Sequence, residues 1–445
     1  MGVSVRSRKI DTIRAKIINI TDLRGKIFLI NYQYQQNRRK DKVKCAMLQL
    51  LIIADDFTGA LDTGVQFSAL GAKSLVVTGP DYDLKNAEGI DVLIFDSETR
   101  HVDPKKAYKT VYDFVKQAKT LNIPHIYKKT DSGLRGNIGA ELAGAMDALG
   151  LDEMSFVPAF PAMRRVTRRG VHYVDGVPVA ESMFGRDPFE PVRHSDVNEI
   201  ITSQTDKKGI HVYDAETDGD MIAVAGRLGH SGLRLTAGCA GFAGVLAQVL
   251  GFHGKGGNVP EMPERFFMVC GSVNPVTCGQ VKYARDNGFK YVCLSAEQKL
   301  SPTWPGSPEC VETARKWLAE ISGTNAILDA NNPDEAAETE EYIRSHGLDI
   351  ETVRVNISRA VTGAAMAMID GGLDARIMCV GGDTLLALMG YAGVSELVPI
   401  CEIERGVVLT SFVYKGKTYY IMTKSGGFGE EDLLVKLARN DTEEH

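Results

Sequence analysis

Long apolar runs are missing from this chain: no stretch approaches the ~18 to 20 uninterrupted apolar residues that cross a bilayer. A helical membrane span is excluded, and a soluble protein is expected. Paired cysteine motifs are missing as well. The eight cysteines (Cys45, Cys239, Cys270, Cys278, Cys293, Cys310, Cys379, Cys401) are scattered, with no C-x-x-C pair and no histidine at zinc-ligand spacing. No protein-held metal is expected, and reduced thiols in a cytoplasmic protein fit this pattern. Some thiols follow apolar runs, as Cys270 follows Phe266-Phe267-Met268-Val269, and read as small buried hydrophobes. The phosphate-loop signature G-x-x-x-x-G-K-[ST] is also absent. Gly254-Lys255-Gly256 has neither its spacing nor the following hydroxyl residue, and reads as linker. Internal repeats and low-complexity tracts are lacking.

What is present is a 445-residue chain with 44% hydrophobic and 24% charged residues, suited to two domains of roughly 200 residues each. The net charge of −6 is unevenly distributed: residues 1–46 carry 12 Lys/Arg against 3 Asp, and the remainder 39 Lys/Arg against 54 Asp/Glu. A basic arm could bind nucleic acid or direct transit, but it has few serines and no apolar signal core. Arg6 excludes myristoylation, which needs Ser or Thr there. Residues 1–46 are therefore expected to form an extension outside the fold, because the strand-like Leu48-Gln49-Leu50-Leu51-Ile52-Ile53 follows Met47 almost at once.

From Met47 onward short apolar runs alternate with helical periodicity, the mark of wound α/β architecture with largely parallel sheets. Strands are predicted at 50–54, 74–78, 91–95 and 154–158, and helices at 59–70, 104–120 and 138–148. Residues 251–263 are rich in Gly and Pro and lack periodicity. They separate a first domain, 47–252, from a second, 265–445, with 253–264 as linker. Further strands are predicted at 266–270, 290–294, 326–329, 352–355 and 376–380.

Four groups of residues carry the chemistry. Ile52 to Gly64 ends an apolar strand in Asp55-Asp56 and turns into a helix, where open α/β sheets place ligand residues. Such paired carboxylates can receive a hydroxyl proton, hold Mg²⁺ or bind sugar hydroxyls, and equally can cap the helix. Next, Tyr127 to Asn137 gathers Lys128, Lys129, Asp131, Ser132 and Arg135 with two glycines, a mixture suited to a polar anion. The third group contains Arg164, Arg165, Arg168 and Arg169. It lacks the interleaved aromatics of a nucleic-acid surface and suits phosphate or substrate anions better. The fourth is a set of glycine turns after strands: Gly271-Ser272-Val273-Asn274, Gly381-Gly382-Asp383-Thr384 and Ser425-Gly426-Gly427. Glycines let backbone amides approach phosphate oxygens, and the Asp and Thr are available to Mg²⁺.

Together these motifs resemble the four-carbon acid sugar kinase family over about Met47 to Leu437. They comprise A-D-D-F-T-G-A-x-D-T-G, K-x-D-S-x-L-R-G-N-I-G-A-E at Lys129 to Glu141, P-A-F-P, G-V-P-V-x-E-S-x-F-x-R-D-P at Gly176 to Pro188, G-G-D-T and the closing K-S-G-G-F-G. The resemblance implies a sugar-acid-binding N-terminal domain, a nucleotide-binding C-terminal domain and an active site in the cleft between them. It also implies ATP and Mg²⁺ as cofactors, and phosphorylation of threonate, erythronate or 3-oxo-tetronate on the terminal hydroxyl. Asp55, Arg100, Lys129, Asp131, Ser132 and Arg135 would then face the acid, and Ser272, Gly381, Gly382, Asp383, Thr384 and Gly427 the nucleotide. Asp56 and Asp383 are alternative catalytic bases. Expected partners are the small sugar acid and ATP, with a homodimer left open, no nucleic acid and no membrane. A non-catalytic sugar-acid sensor is the rival reading.

Overall fold

The computed structural model describes residues 48–79, 82–187, 190–331 and 335–439, so the basic extension 1–46 lies outside the described residues. The chain divides into two compact units that part between Gly256 and Gly257. Residues 253–264 carry no helix or strand.

The first unit runs β1 (Leu50–Ala54), α1 (Phe57–Ser68), β2 (Ser74–Thr78), β3 (Val92–Asp96), α2 (Pro104–Thr120), β4 (His125–Lys129), α3 (Ile138–Leu149), β5 (Met154–Val157), β6 (Arg165–Arg168), β7 (Val171–Val174), β8 (Val177–Pro178), α4 (Val197–Thr202), β9 (Ile210–Val212), α5 (Asp218–Gly232), β10 (Leu235–Gly238) and α6 (Ala240–Val249). Its sheet has the order β2-β3-β1-β4-β10-β5-β9, and every neighbouring pair is parallel. Strands covered on both faces must be apolar throughout, and β1, Leu-Leu-Ile-Ile-Ala, is buried along its whole length. Helix α2 starts at Pro104 behind an Asp103 cap and buries Ala107, Val111, Phe114, Val115 and Ala118, an apolar stripe at helical spacing. Phe114 stacks on Phe95 of β3 and fixes that helix to the sheet. β6, β7 and β8 form a separate antiparallel ribbon, three strands that the sequence reading did not predict.

The second unit runs β11 (Phe266–Cys270), α7 (Pro275–Asp286), β12 (Lys290–Cys293), α8 (Ala296–Leu300), α9 (Pro308–Ile321), β13 (Ala326–Asp329), α10 (Ala336–His346), α11 (Ile350–Asp370), β14 (Arg376–Val380), α12 (Gly382–Ala392), β15 (Glu396–Glu404), β16 (Val407–Tyr414), β17 (Lys417–Lys424) and α13 (Leu433–Arg439). Its strand order is β12-β13-β11-β14-β17-β16-β15, parallel as far as β17 and antiparallel through β16 and β15. One expectation fails here: 352–355 is helix, not strand. Thr352-Val353-Arg354-Val355 has β-branched composition, yet Asp349 caps the helix through the Thr352 N–H, and the downstream face, Val361, Ala364, Ala365 and Met368, is buried. Packing of that face outweighs the local preference of four residues.

Candidate active site

In the first unit the chain adds β3 to one side of β1 and β4 to the other. The crevice at such a reversal, beyond the carboxyl ends of the strands, is where open α/β sheets bind ligands. Ala54 is in register with both Asp96 and Lys129, so the loops after β1, β3 and β4 begin level with one another. They bring together all seven first-domain candidates read from the sequence.

Arg100, from the loop after β3, is the hub. Its Nε lies 2.7 Å from Asp55 Oδ2, and its Nη2 lies 2.7 Å from Asp56 Oδ1 and 3.6 Å from Asp131 Oδ1. Lys129 Nζ stands 3.7 Å from Asp55 Oδ1 and 3.9 Å from Asp56 Oδ1. Burial alone would raise the Asp55 carboxyl, but Arg100 and Lys129 hold it down to about 2. Asp131 is likewise held well below the usual carboxylate range against its burial, chiefly by Arg135 and Arg100. Arg135 grips Asp131 through Nε and Nη2 and reaches Asp187 through Nη1 at 3.0 Å. Asp56 also caps α1, accepting the Gly59 N–H at 3.1 Å, so capping and site chemistry share one residue. A Cβ on Gly59 would meet Lys129 Nζ and Asp56 Oδ1, so a glycine in the first turn of α1 lets both side chains lie against it.

Beneath the cluster lies a pair that the sequence reading did not single out. Lys128 Nζ and Glu141 Oε2 are 3.0 Å apart and both side chains are 1% exposed. Glu141 also accepts the Thr99 hydroxyl, while the backbone N–H groups of Thr99 and Arg100 donate to the Asp55 carbonyl. The pair thereby props the turn that presents Arg100. Lys-Lys at the end of a short strand was the available signal, but alternation alone does not show that both residues point into protein.

The ribbon docks on the same loops through His172. Its Nε2 lies 3.0 Å from the Ser132 carbonyl, which can only accept, so Nε2 carries the proton and Nδ1 accepts the Thr167 hydroxyl. Phe184 presses on Gly133, where a Cβ would sit 2.5 Å from its ring. Of the arginine run, Arg164 pairs with Asp175 and Arg168 with Glu216 at the surface.

In the second unit β11 lies between β13 and β14, and Cys270, Val380 and Lys424 are level at the carboxyl edge. The glycine turns read from the sequence follow these strand ends. A Cβ on Gly271 would meet Thr384 Oγ1 at 2.5 Å, and one on Gly426 would meet Ser272 Oγ at 2.5 Å, so the loops touch only because both residues are glycine. Gly427 lies near Asn274. Gly381, at φ 103°, opens α12 with no side-chain cap, leaving first-turn N–H groups available to an anion. Lys424 donates to the Ser425 and Phe428 carbonyls, and burial pulls its pKa down to about 8. Asp383 is turned to Arg354, with which it forms an ion pair. Among the described residues no group of three or more His, Cys, Asp or Glu is arranged to hold a metal, and no helix is long and apolar enough to cross a membrane.

Comparison with known proteins matches each unit to a family model: a "Sugar-binding N-terminal domain" over residues 50–231 and a "Nucleotide-binding C-terminal domain" over 267–434. The class is thus a two-domain protein with a sugar-binding module followed by a nucleotide-binding one. The chain is 27% identical to a D-threonate kinase of Salmonella typhimurium, covering 87% of this chain and 97% of that one. It is 26% identical to a D-erythronate kinase of Heliobacterium modesticaldum, covering 89% and 99%. With these relatives and both domain models, the chain belongs to the four-carbon acid sugar kinase family. The solved structure of a Salmonella typhimurium protein described as a tRNA synthase superposes with a TM-score of 0.74 at 20% identity, covering 88% of this chain and 100% of that one, a likeness of fold.

Two expectations follow from the first unit. Lys128→Met strands a buried carboxylate and should cost about 3–5 kcal/mol in urea unfolding, while Lys128→Met with Glu141→Gln should recover at least half of it. A double variant as unstable as the single one would refute the compensation. His172 is the second case, its pKa lowered by burial from 6.5 to about 4. Its neutral ring therefore contributes stability in full above about pH 6.5, and that contribution is lost as pH falls toward 4, on the order of 3 kcal/mol. The thermal midpoint should drop across that window and drop less in His172→Gln. Parallel curves for the two proteins would show that another group is responsible.

Proposed function

We propose that this protein is an ATP-dependent kinase that phosphorylates the terminal hydroxyl of a four-carbon acid sugar, threonate, erythronate or 3-oxo-tetronate, to the 4-phosphate. The observation that carries this reading is the charge cluster around Arg100, built at the reversal point of a unit matched by a sugar-binding model. Asp55, Asp131 and Ser132 supply oxygens to substrate hydroxyls, and Arg100, Lys129 and Arg135 offset the charge of the surrounding carboxylates so that an acid can approach. Asp56 is the preferred base: its contacts with Gly59, Arg100 and Lys129 all fall on Oδ1, leaving Oδ2 to take a hydroxyl proton. Asp383, already engaged by Arg354, is the alternative.

ATP fits the second unit, where the glycine-made cradle of Gly271, Gly381, Gly426 and Gly427, with Ser272 and Thr384, offers backbone amides and hydroxyls to phosphate oxygens. Gly382 and Asp383 lie in the first turn of the same helix. Mg²⁺ would supply charge neutralisation to the phosphates, and Asp383 and Thr384 are the side chains available to hold it, with water completing the shell of this small, strongly hydrated ion. The residues then act by positioning and charge, which is what phosphoryl transfer requires.

ADP release followed over a panel of four-carbon acids should show turnover of at least one, and far less of the matching neutral tetritol. Equal rates on acid and tetritol would remove the roles given to Lys129 and Arg135, and acid binding without ADP release would leave a sensor. The division of labour is tested by Gly381→Val, which forces a β-branched residue into a positive-φ position. Affinity for a nonhydrolysable ATP analogue should fall at least tenfold while sugar-acid binding, measured by calorimetry on the same folded preparation, stays within twofold. Loss of acid binding alone would reverse the assignment.

A further inference from the structure

The three cations assigned to the acid are already committed. Arg100 serves Asp55, Asp56 and Asp131, Lys129 stands between Asp55 and Asp56, and Arg135 serves Asp131 and Asp187. These four carboxylates outnumber the three cations, so the cluster taken alone carries one net negative charge and would repel an incoming carboxylate. A further cation is needed at its edge.

Arg165 fills that place. It begins β6, and unlike its neighbours in the run it turns inward: its guanidinium carbon lies 5.7 Å from the centre of the Phe184 ring, whose other guanidinium, that of Arg135, lies at 5.0 Å. Both distances are in cation–π range, so one ring positions two guanidinium groups beside the loop 131–135. Asp175, Asp131, Arg135, His172 and Cys239 all lie within reach of the Arg165 charge, and the foremost of these carboxylates, Asp175, is itself ion-paired with Arg164. Among the described residues no carboxylate oxygen pairs with Arg165. Its Nη1 donates to the Met163 carbonyl, but its Nε is buried without a hydrogen-bond partner. A buried N–H of a charged group left without an acceptor is costly, and an arriving carboxylate oxygen would satisfy it.

Resting on the sugar-acid reading, we propose that Arg165 is the residue that receives the substrate's carboxylate, and that it sets the preference for acids over neutral polyols. Arg100, Lys129 and Arg135 then act on that carboxylate indirectly, by offsetting the site's own acids. The Phe184 ring holds the Arg165 head in place, and the His172 hydrogen bond to Ser132 keeps the ribbon on the loop that binds the sugar hydroxyls.

The test uses the full chain, the acid turned over fastest by the unaltered protein, and its neutral tetritol. Arg165→Ala should weaken acid binding in calorimetry without nucleotide, and raise KM for the acid, by roughly 10- to 100-fold. Rates on the tetritol and affinity for the ATP analogue should stay within twofold. Arg165→Lys, which keeps the charge but loses the planar fork, should recover part of the loss. A KM for the acid within twofold of the original in Arg165→Ala, or an equal loss on acid and tetritol, overturns the proposal. Should Arg165→Ala fail to fold, Arg165→Gln is read against the same two substrates. The kinase reading is judged separately, by ADP release from the unaltered protein, whereas calorimetric acid binding tests Arg165 even if no phosphate is transferred.

Discussion

Arg100 reaches carboxylates from two other loops at once, Asp55 and Asp56 after β1 and Asp131 after β4, and it is itself buried. A buried guanidinium is tolerable only when its donors are used, and buried carboxylates only when a cation faces them. Each loop is therefore held in place by the charge requirement of the others. Thr99, Glu141 and Lys128 carry the same requirement one layer deeper, which ties the site to the carboxyl end of β4 and the first turn of α3. The site is stable because its members compensate one another, and removing any one exposes the rest.

The second unit repeats the strand order of the first: second, third, first, fourth, as β2-β3-β1-β4 and β12-β13-β11-β14. In both units functional loops leave the carboxyl ends at the reversal, but they are built from different material. The first uses charged side chains, suited to hydroxyls and a carboxylate that must be told apart atom by atom. The second uses glycine and backbone amides, suited to phosphate oxygens, which accept many donors and demand close approach.

Fully buried parallel strands were legible because they must be apolar throughout, and β1, β2, β11, β13 and β14 read directly from composition. β4 was harder: His-Ile-Tyr-Lys-Lys is buried along its length, and its lysines belong inside only because Glu141, Asp55 and Asp56 await them from elsewhere in the chain. The stretch 352–355 misled in the opposite sense, its β-branched residues lying in a helix whose burial is decided further along. Clusters of Asp, Lys, Arg and Gly marked the candidate site in the sequence. Arg165 was flagged only as one of four arginines suited to an anion, and His172 was not singled out: the outward Arg164 and the inward Arg165 are adjacent letters of the same kind, and only the ribbon's geometry separates them.

The tight approach at Gly59 has an evolutionary reading. The start of α1 leaves no room for a side chain while Lys129 extends to Asp55 and Asp56. A side chain at position 59 would therefore push the Lys129 ammonium away from the two carboxylates, although 70 residues separate the two positions in the chain. A shorter residue 129 would remove one of the two obstructions at position 59 and leave the other, the capping Asp56 carboxylate, against the place where a Cβ would sit, so position 59 answers to both residues. A motif shared among descendants can in this way preserve the fit between two residues far apart in the chain.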